Sequence, residues 1–341
     1  MMKNILSSPF VKILALFVIL LGFAFAYLAF IQTTIPQVVT PLTPEGQYRI
    51  KITPGSNVSS VAKQLINQGA DTSSWKVQIV ARGLFLGKRL KAGVYDLPPG
   101  ASLSSILLKM ARGDSVKLNV TLVEGWTFKQ FKAAVNAQRD LKKTAQALSD
   151  KQLLALIQAK ESHPEGIFLP DTYIYEPGDA DTVIYQRAYQ AMQKRLAEVW
   201  AMKPDNSPLK SPYELLKLAS IIEKETGHPS DRSMVSAVFN NRLKMGMKLQ
   251  TDPTIIYGLG DRFDGDIRKK DLLKDGPYNT YTRYGLPPTP IAMPGKDALL
   301  ATVKPADSKA LYFVAKGDGR SAFSDSLVEH NQAVQKYQLK K

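Results

Sequence analysis

The sequence contains no cysteine and only three histidines in its 341 residues. The lack of cysteine excludes disulfides, iron–sulfur clusters and zinc sites with thiolate ligands. The histidines, His163, His228 and His330, lack the spacing of metal ligands, so we expect them to be ordinary surface or hydrogen-bonded residues. A serine nucleophile elbow, a phosphate-binding glycine loop and a His-Glu-x-x-His zinc motif are also missing. We therefore expect a protein that uses neither a metal nor a cofactor.

The sequence has fewer acidic than basic residues. It contains 30 Asp and Glu and 45 Lys and Arg, which gives a net charge of +15. Such a charge suits an anionic polymer or a membrane surface, and nucleic acid is the other class of partner to consider. The basic residues are spread along the chain rather than clustered on one segment. This distribution argues against nucleic acid as the partner.

One long stretch, residues 13–31, contains no charged side chain. A membrane-spanning helix needs about 20 apolar residues. Lysines precede the stretch and the next basic residue is Arg49, so the positive-inside rule places residues 1–12 in the cytoplasm and the rest of the chain outside it. A cleaved signal peptide ending near Ala24-Phe25-Ala26 is the alternative. The run is longer than a signal-peptide core of roughly 7–15 residues, which favours an anchor.

Residues 32–47 are rich in Pro, Thr and Gln and predict an extended linker. Beyond it a unit of strand, glycine turn and amphipathic helix recurs, with its turns at Gly55, Gly100 and Gly125. The aligned apolar positions of the first two copies are Val58, Val61 and Leu65 with Leu103, Ile106 and Met110, and the third copy has Phe128, Phe131 and Val135. The unequal spacing of the glycines excludes a solenoid. Such units resemble LysM modules, which bind N-acetylated glycans between strand and helix; simple packing of a small α+β domain is the alternative.

Two glutamates, Glu223 and Glu225, close a helix that is predicted to begin at Pro212. Ser211 is expected to be its N-cap, and apolar residues then recur at i, i+3, i+4 and i+7, which predicts one buried face. A carboxylate beside such a face is partly dehydrated, and dehydration raises its pKa toward the range of a general acid. Helix geometry leaves both glutamates open, and a solvated glutamate at a helix end is the ordinary alternative.

Other segments have simpler signals. Residues 278–295 are too rich in Pro, Gly and Tyr for a helix or a strand, and predict a long ordered loop that lines a sugar-binding cleft or lies on the surface. The remaining predictions are helices over 141–159, 182–200, 231–245 (capped by Ser230) and 327–337, with a hairpin turning at Gly317-Asp318-Gly319.

Five short motifs now stand in one order: ASIIEKET, NRL, LQTDPTIIYG, YNTY and GLPPTPI. This order resembles that of the YceG-like family of endolytic murein transglycosylases, and the resemblance extends from the membrane segment onward. It implies an α+β fold with a single N-terminal transmembrane helix, a LysM-like subdomain over 48–118 and a larger mixed α/β catalytic domain over 119–341. It also implies a bacterial inner membrane protein whose catalytic domain is periplasmic.

The same resemblance implies the chemistry. The expected reaction cleaves the β-1,4 bond between N-acetylmuramic acid and N-acetylglucosamine inside nascent peptidoglycan strands, leaves 1,6-anhydro ends and terminates strand elongation. Glu223 is implied as the catalytic acid, acting first as acid and then as base. Peptidoglycan synthases in the membrane are the expected protein partners. A muramidase, or a non-catalytic glycan-binding organiser of wall synthesis, is the alternative.

The remaining candidate site residues come from the later motifs. Gln250, Asn279 and Tyr281 are implied to position the sugar, and Tyr278 and Asp252 are candidates beside them. Asp252 is expected to orient its loop by accepting backbone N–H bonds ahead of Pro253; a second carboxylate of a hydrolase is the alternative.

Overall fold

The computed structural model describes residues 9–31, 43, 46–226 and 228–339. The chain divides into two compact units, Met1–Leu118 and Asn119–Lys341. Most of the predicted linker at residues 32–47 lies outside the described residues, as does the predicted cytoplasmic segment up to residue 8.

Helix α1, Pro9–Phe30, is apolar apart from Lys12, and most of its large side chains are exposed. At about 1.5 Å per residue its 22 residues are long enough to cross the ~30 Å hydrocarbon core of a bilayer. The helix therefore has the length and composition of a membrane anchor, and a signal sequence near the N-terminus would meet the same test.

The rest of the first unit is a two-stranded sheet with helices packed on it. Its elements are β1 (Tyr48–Ile52), α2 (Val58–Asn67), α3 (Ser74–Gly83), β2 (Gly93–Leu97) and α4 (Leu103–Arg112). The strands pair antiparallel with Ile50 opposite Tyr95, and both side chains are fully buried against the apolar faces of the helices. Burial of these faces is the main favourable term that holds a unit this small together.

The second unit contains more helix than strand. Its helices are α5 (Phe128–Ala137), α6 (Asp150–Leu156), α7 (Thr182–Trp200), α8 (Pro212–Glu225), α9 (Arg232–Lys244), α10 (Asp252–Leu259), α11 (Lys269–Leu273), α12 (Lys296–Val303) and α13 (Leu327–Val334), which continues as a π-helical turn over Gln335–Leu339. Its strands are β3 (Leu118–Thr121), which begins at the last residue of the first unit and pairs with β4 (Thr172–Tyr175), and β5 (Tyr312–Ala315), which pairs with β6 (Ser321–Ser324). Helix α8 is central, because it contacts α7, α9, α10 and α12.

The predicted recurrence of strand, turn and helix is confirmed. Gly55, Gly100 and Gly125 have φ values of 77°, 74° and 76°, a left-handed conformation that favours glycine. Each turn leads into a helix of 10 residues, namely α2, α4 and α5. A side chain caps each helix by accepting the backbone N–H three residues further on: Asn57, Ser102 and Thr127.

The predictions of helix 182–200 and of the hairpin around Gly317-Asp318-Gly319 are confirmed by α7 and by β5–β6. The prediction of a helix over residues 141–159 is wrong in its first half. The Asp181 carboxylate accepts the backbone N–H groups of Thr144 at 3.0 Å and Ala145 at 2.8 Å. These N–H groups therefore bond to a side chain that is distant in sequence rather than to the carbonyl groups of a helix. Helix α6 begins only after its N-cap, Ser149.

Ser230 does not cap α9 as predicted. A short 3-10 turn, Pro229–Asp231, precedes the helix, and the His228 Nδ1 atom accepts the N–H of Ser230 at 3.3 Å. Ser230 lies inside this turn, where its own N–H is capped by His228, so α9 starts at Arg232 without a side-chain cap.

Candidate active site

The end of α8 presents the two candidate acids. Ser211 Oγ accepts the N–H of Glu214 at 3.2 Å and Pro212 occupies the first turn, as the sequence predicts. The Glu214 carboxylate accepts the N–H of Lys210, the residue before the N-cap, at 2.7 Å. Residues on the apolar face are fully buried, which fixes the orientation of the polar helix end.

Glu225 lies in a cavity of about 360 Å³. The cavity is bounded by the ends of α8 and α9, the start of α10, the 278–295 loop and the C-terminal elements β5 and α13. The hydroxyl of Thr251 donates a short hydrogen bond to Glu225 Oε1. Burial raises the pKa of Glu225 to about 7, a rise that this hydrogen bond opposes and that the nearby Asp252 carboxylate reinforces. A carboxyl group with such a pKa still carries its proton in a substantial fraction of molecules at neutral pH, as a general acid requires.

Three of the sequence-predicted site residues share this cavity: Gln250, Asp252 and Tyr281. Gln250 has φ +49°, a left-handed conformation that is uncommon for a residue with a side chain and that often marks functional sites. Its N–H donates to Thr280 O at 3.1 Å, which ties the LQTDP segment to the YNTY segment. The Gln250 side chain is exposed at the cavity, so its amide is available to a ligand.

Asp252 is the first residue of α10, and its side chain bonds differently from the expectation. Its Oδ1 atom accepts the Tyr281 hydroxyl at 2.5 Å rather than a backbone N–H. Burial and this carboxylate raise the pKa of Tyr281, so the phenol stays protonated and donates. The pair places a phenol and a carboxylate beside Glu225.

Asn279 does not reach the Glu225 cavity. Its Nδ2 group lies within hydrogen-bond distance of three backbone carbonyls, and its Oδ1 accepts the N–H groups of Tyr281 at 2.8 Å and Thr282 at 3.2 Å. The carbonyls are those of Asp271, Leu272 and Lys274. All the donors and acceptors of the amide are therefore used inside the protein, and the residue holds the loop in shape.

Tyr278 also lies outside the Glu225 cavity. Its ring packs edge-on against Tyr257 at 4.9 Å, and its hydroxyl is 2.9 Å from Thr289 Oγ1. It lines a neighbouring cavity of about 320 Å³ on another side of α10. This position makes it a packing residue of the loop.

Glu223 has different surroundings from Glu225. Its Oε2 atom accepts the N–H of Gly295 at 3.0 Å, the residue before α12, and the Glu124 side chain is nearby. Burial raises the pKa of Glu223, and the hydrogen bond from Gly295 opposes that rise. The structure thus joins Glu223 to the 293–295 segment, and it brings Gln250 and Tyr281 together with Glu225 instead.

Sequence reasoning missed three residues of the cavity whose side chains are polar: Arg242, Tyr312 and His330. Arg242 stands in the NRL motif, so its motif was a usable signal. No sequence spacing connects Tyr312 and His330 with the other site residues, because the folding of the C-terminal hairpin and helix brings them to the cavity. Among the residues that the structure describes, no group of three or more His, Asp or Glu side chains is arranged to hold a metal ion.

The sequence model of the YceG-like family matches residues 50–336. The chain belongs to the YceG-like family. This YceG-like chain is 32% identical over 306 residues to the endolytic murein transglycosylase of Bacillus subtilis, a match that covers 84% of each protein. It is 29% identical over 327 residues to the protein of the same name from Streptococcus pneumoniae, covering 84% of this chain and 57% of that one.

A solved structure is similar as well. The YceG-like protein of Listeria monocytogenes matches with a TM-score of 0.55 and 31% identity, over 84% of this chain and 98% of that one. The predicted family and the mixed helix-and-strand fold with one N-terminal apolar helix are thereby confirmed.

Proposed function

We propose that this YceG-like chain is an endolytic murein transglycosylase acting on nascent peptidoglycan glycan strands. The observation that carries the proposal is Glu225: a carboxyl group with a pKa of about 7 in an open cavity beside an amide and a phenol. A glycosidic oxygen is a poor leaving group until it is protonated, so this chemistry needs such an acid. Relatives that carry this activity in their names support the same conclusion.

The proposed reaction uses one carboxyl group twice. Glu225 donates its proton to the oxygen of the β-1,4 bond, which breaks between C1 of N-acetylmuramic acid and that oxygen. The C6 hydroxyl of the same sugar then attacks C1, and the Glu225 carboxylate accepts the hydroxyl proton. The product is a 1,6-anhydro end, no water is consumed, and the glutamate returns to its starting form.

We assign this role to Glu225 rather than to Glu223, the residue that the family resemblance implies. Gln250 and Tyr281, the side chains expected to surround the acid, share the cavity of Glu225. In this assignment Gln250 donates to a sugar oxygen, and the Tyr281–Asp252 pair contacts the sugar near its developing positive charge. Asn279 and Tyr278 act by shaping the loop.

A hydrolase is the second candidate, and Asp252 is the observation that favours it. A muramidase needs a second carboxylate to activate water or to attack C1, and Asp252 lines the cavity of Glu225. Its hydrogen bond to the Tyr281 hydroxyl gives the carboxylate another role, which favours the transglycosylase.

Mass spectrometry of the products decides between the two reactions. Purified uncrosslinked glycan strands are incubated with the full chain, with Glu225→Gln as the inactive control. The proposal expects internal cuts whose new ends are lighter by one water than reducing ends. Reducing ends would establish the hydrolase, and tight binding without any cut would establish a glycan-binding organiser.

We further propose that α1 anchors the chain in the inner membrane with its N-terminus in the cytoplasm, and that 48–118 forms a LysM-like glycan-binding subdomain. The antiparallel β1–β2 pair with α2 and α3 between its strands supports the second point. An anchored enzyme meets strands as membrane synthases release them, so cuts there would terminate elongation. Synthases are accordingly the proposed protein partners.

A further inference from the structure

The C-terminal hairpin and helix supply an aromatic wall of the Glu225 cavity. His330 on α13 stacks on Tyr312 of β5, with ring centroids 5.2 Å apart and ring planes 23° from parallel. The Arg242 guanidinium of α9 also lies 5.2 Å from the Tyr312 ring centre. All three side chains line the cavity, so the wall is built from three elements that are distant in sequence.

Arg242 holds the backbone of this wall in place through hydrogen bonds to carbonyl groups. Its Nε donates to Leu311 O at 2.7 Å, and its Nη1 donates to Leu249 O at 2.7 Å. These bonds hold the β5 and LQTDP segments beside α9. The Nε and Nη1 groups are therefore committed to the backbone that frames the cavity.

The imidazole of His330 is not committed in this way. Within the described part of the chain, its buried Nδ1 atom has no hydrogen-bond partner. A buried N–H without an acceptor is rarer and costlier than a bare acceptor lone pair, so the ring proton belongs on Nε2. Stacking on Tyr312 restricts the ring orientation. The result is an oriented N–H donor at the cavity wall.

The surroundings of His330 also favour the neutral form of its imidazole. Burial and the charge of Arg242 lower the pKa of His330 below its usual range. The transition state of glycosidic cleavage has oxocarbenium character, and a neutral donor binds a sugar oxygen without adding a positive charge beside it.

We propose that His330 is a substrate-binding residue that donates Nε2–H to an oxygen of the glycan in the Glu225 cavity. The inference rests on the proposed function, because it needs a saccharide there. It assigns a binding role to α13 and to a histidine whose sequence context predicts none.

Two substitutions distinguish the contribution of the His330 N–H donor from that of its aromatic ring. His330→Phe keeps a flat ring against Tyr312 and removes the donor, whereas His330→Gln keeps an amide N–H. Gln332→Ala, an exposed position on the same helix, is the matched control. Binding of purified uncrosslinked glycan strands is titrated in the full chain carrying Glu225→Gln, and KM and kcat are measured in the active chain.

Loss of one hydrogen bond predicts about 3- to 10-fold weaker binding for His330→Phe, with a matching rise in KM and a smaller change in kcat. His330→Gln should lose less, and Gln332→Ala nothing. Unchanged binding by His330→Phe would overturn the inference, and so would losses in both histidine variants that merely follow a fall in Tm. If the parent chain cleaves strands while His330→Phe matches it, only this inference fails; a parent that neither binds nor cleaves ends the proposed function itself.

Discussion

Glu223 and Glu225 are two positions apart, and this small separation decides their surroundings. Successive residues of an α-helix are turned by about 100°, so the two side chains leave α8 in directions roughly 200° apart. Glu225 meets Thr251 and the cavity, whereas Glu223 meets the N–H of Gly295. Both carboxyl groups have a raised pKa, so pKa alone does not distinguish them. The neighbours distinguish them, because Glu225 shares its cavity with Gln250 and Tyr281, the side chains that we propose to hold the sugar, and Glu223 does not.

Paired substitutions test this assignment. Glu225→Gln removes the transferable proton and should reduce strand cleavage at least about 100-fold, the lower range for a general acid. Glu223→Gln keeps an acceptor for the Gly295 N–H and should retain most of the activity. The rate of anhydro-end formation is measured, with Tm and glycan binding as folding controls. Loss of activity in Glu223→Gln alone would restore the assignment that the family resemblance implies.

The pH dependence of cleavage follows from the same residue. The free enzyme must hold Glu225 in its protonated form to begin the reaction, and its pKa is about 7. We therefore expect kcat/KM to be highest below neutral pH and to fall about tenfold per pH unit well above pH 7. Initial rates from pH 5 to pH 9 measure this. A kcat/KM that stays flat up to pH 9 would contradict a proton donor of this pKa.

At the scale of elements, the 278–295 loop depends on one amide. Asn279 joins the backbone near α11 to the N–H groups of Tyr281 and Thr282, so it sets the position of the Tyr281 phenol. A loop without regular structure needs such side-chain bonds, because its backbone has no ladder of its own.

Replacing Asn279 with Asp tests that role. The carboxylate would face the carbonyl oxygens that now accept from the amide, so we expect a loss of about 1–3 kcal/mol in the free energy of unfolding and slower cleavage. Arg283→Gln is the control, because it breaks only an exposed ion pair with Asp275 and should change stability by less than about 1 kcal/mol. Equal denaturation midpoints for the two variants would show that the amide does not hold the loop.

Elements whose signals are local were predictable from the sequence. The glycine turns, helix α7 and the β5–β6 hairpin each depend on a few adjacent residues. The wrong predictions concern residues whose partners are distant in sequence. Asp181 accepts the N–H groups of residues 144 and 145, which a local pattern cannot show. The choice between the two glutamates depends on segments near residues 250, 281 and 330. Family motifs point to the end of α8, but only packing distinguishes the surroundings of its two acids.

At the scale of the whole molecule, a second buried acid links stability to pH. The Glu165 carboxylate accepts the N–H of Phe128 at 3.0 Å and the hydroxyl of Tyr257 at 3.1 Å, which joins α5 to α10. Burial raises its pKa to about 7 even though these bonds favour the charged form. In the unfolded chain a glutamate has a pKa of about 4.3, so the folded state holds the proton more tightly.

This difference predicts the sign of the pH effect on unfolding. The stability that comes from protonated Glu165 is fully present below about pH 4.3 and is lost as the pH rises through about 7, by an amount on the order of 3 kcal/mol. Glu225 acts in the same direction. Chemical denaturation of the full chain at pH 5 and pH 8 should therefore show lower stability at pH 8. Glu165→Gln, which cannot ionise, should reduce that difference, whereas Glu198→Gln at an exposed position of α7 should leave it unchanged. An identical pH 5 to pH 8 difference in wild type and Glu165→Gln would mean that Glu165 titrates normally in the folded protein.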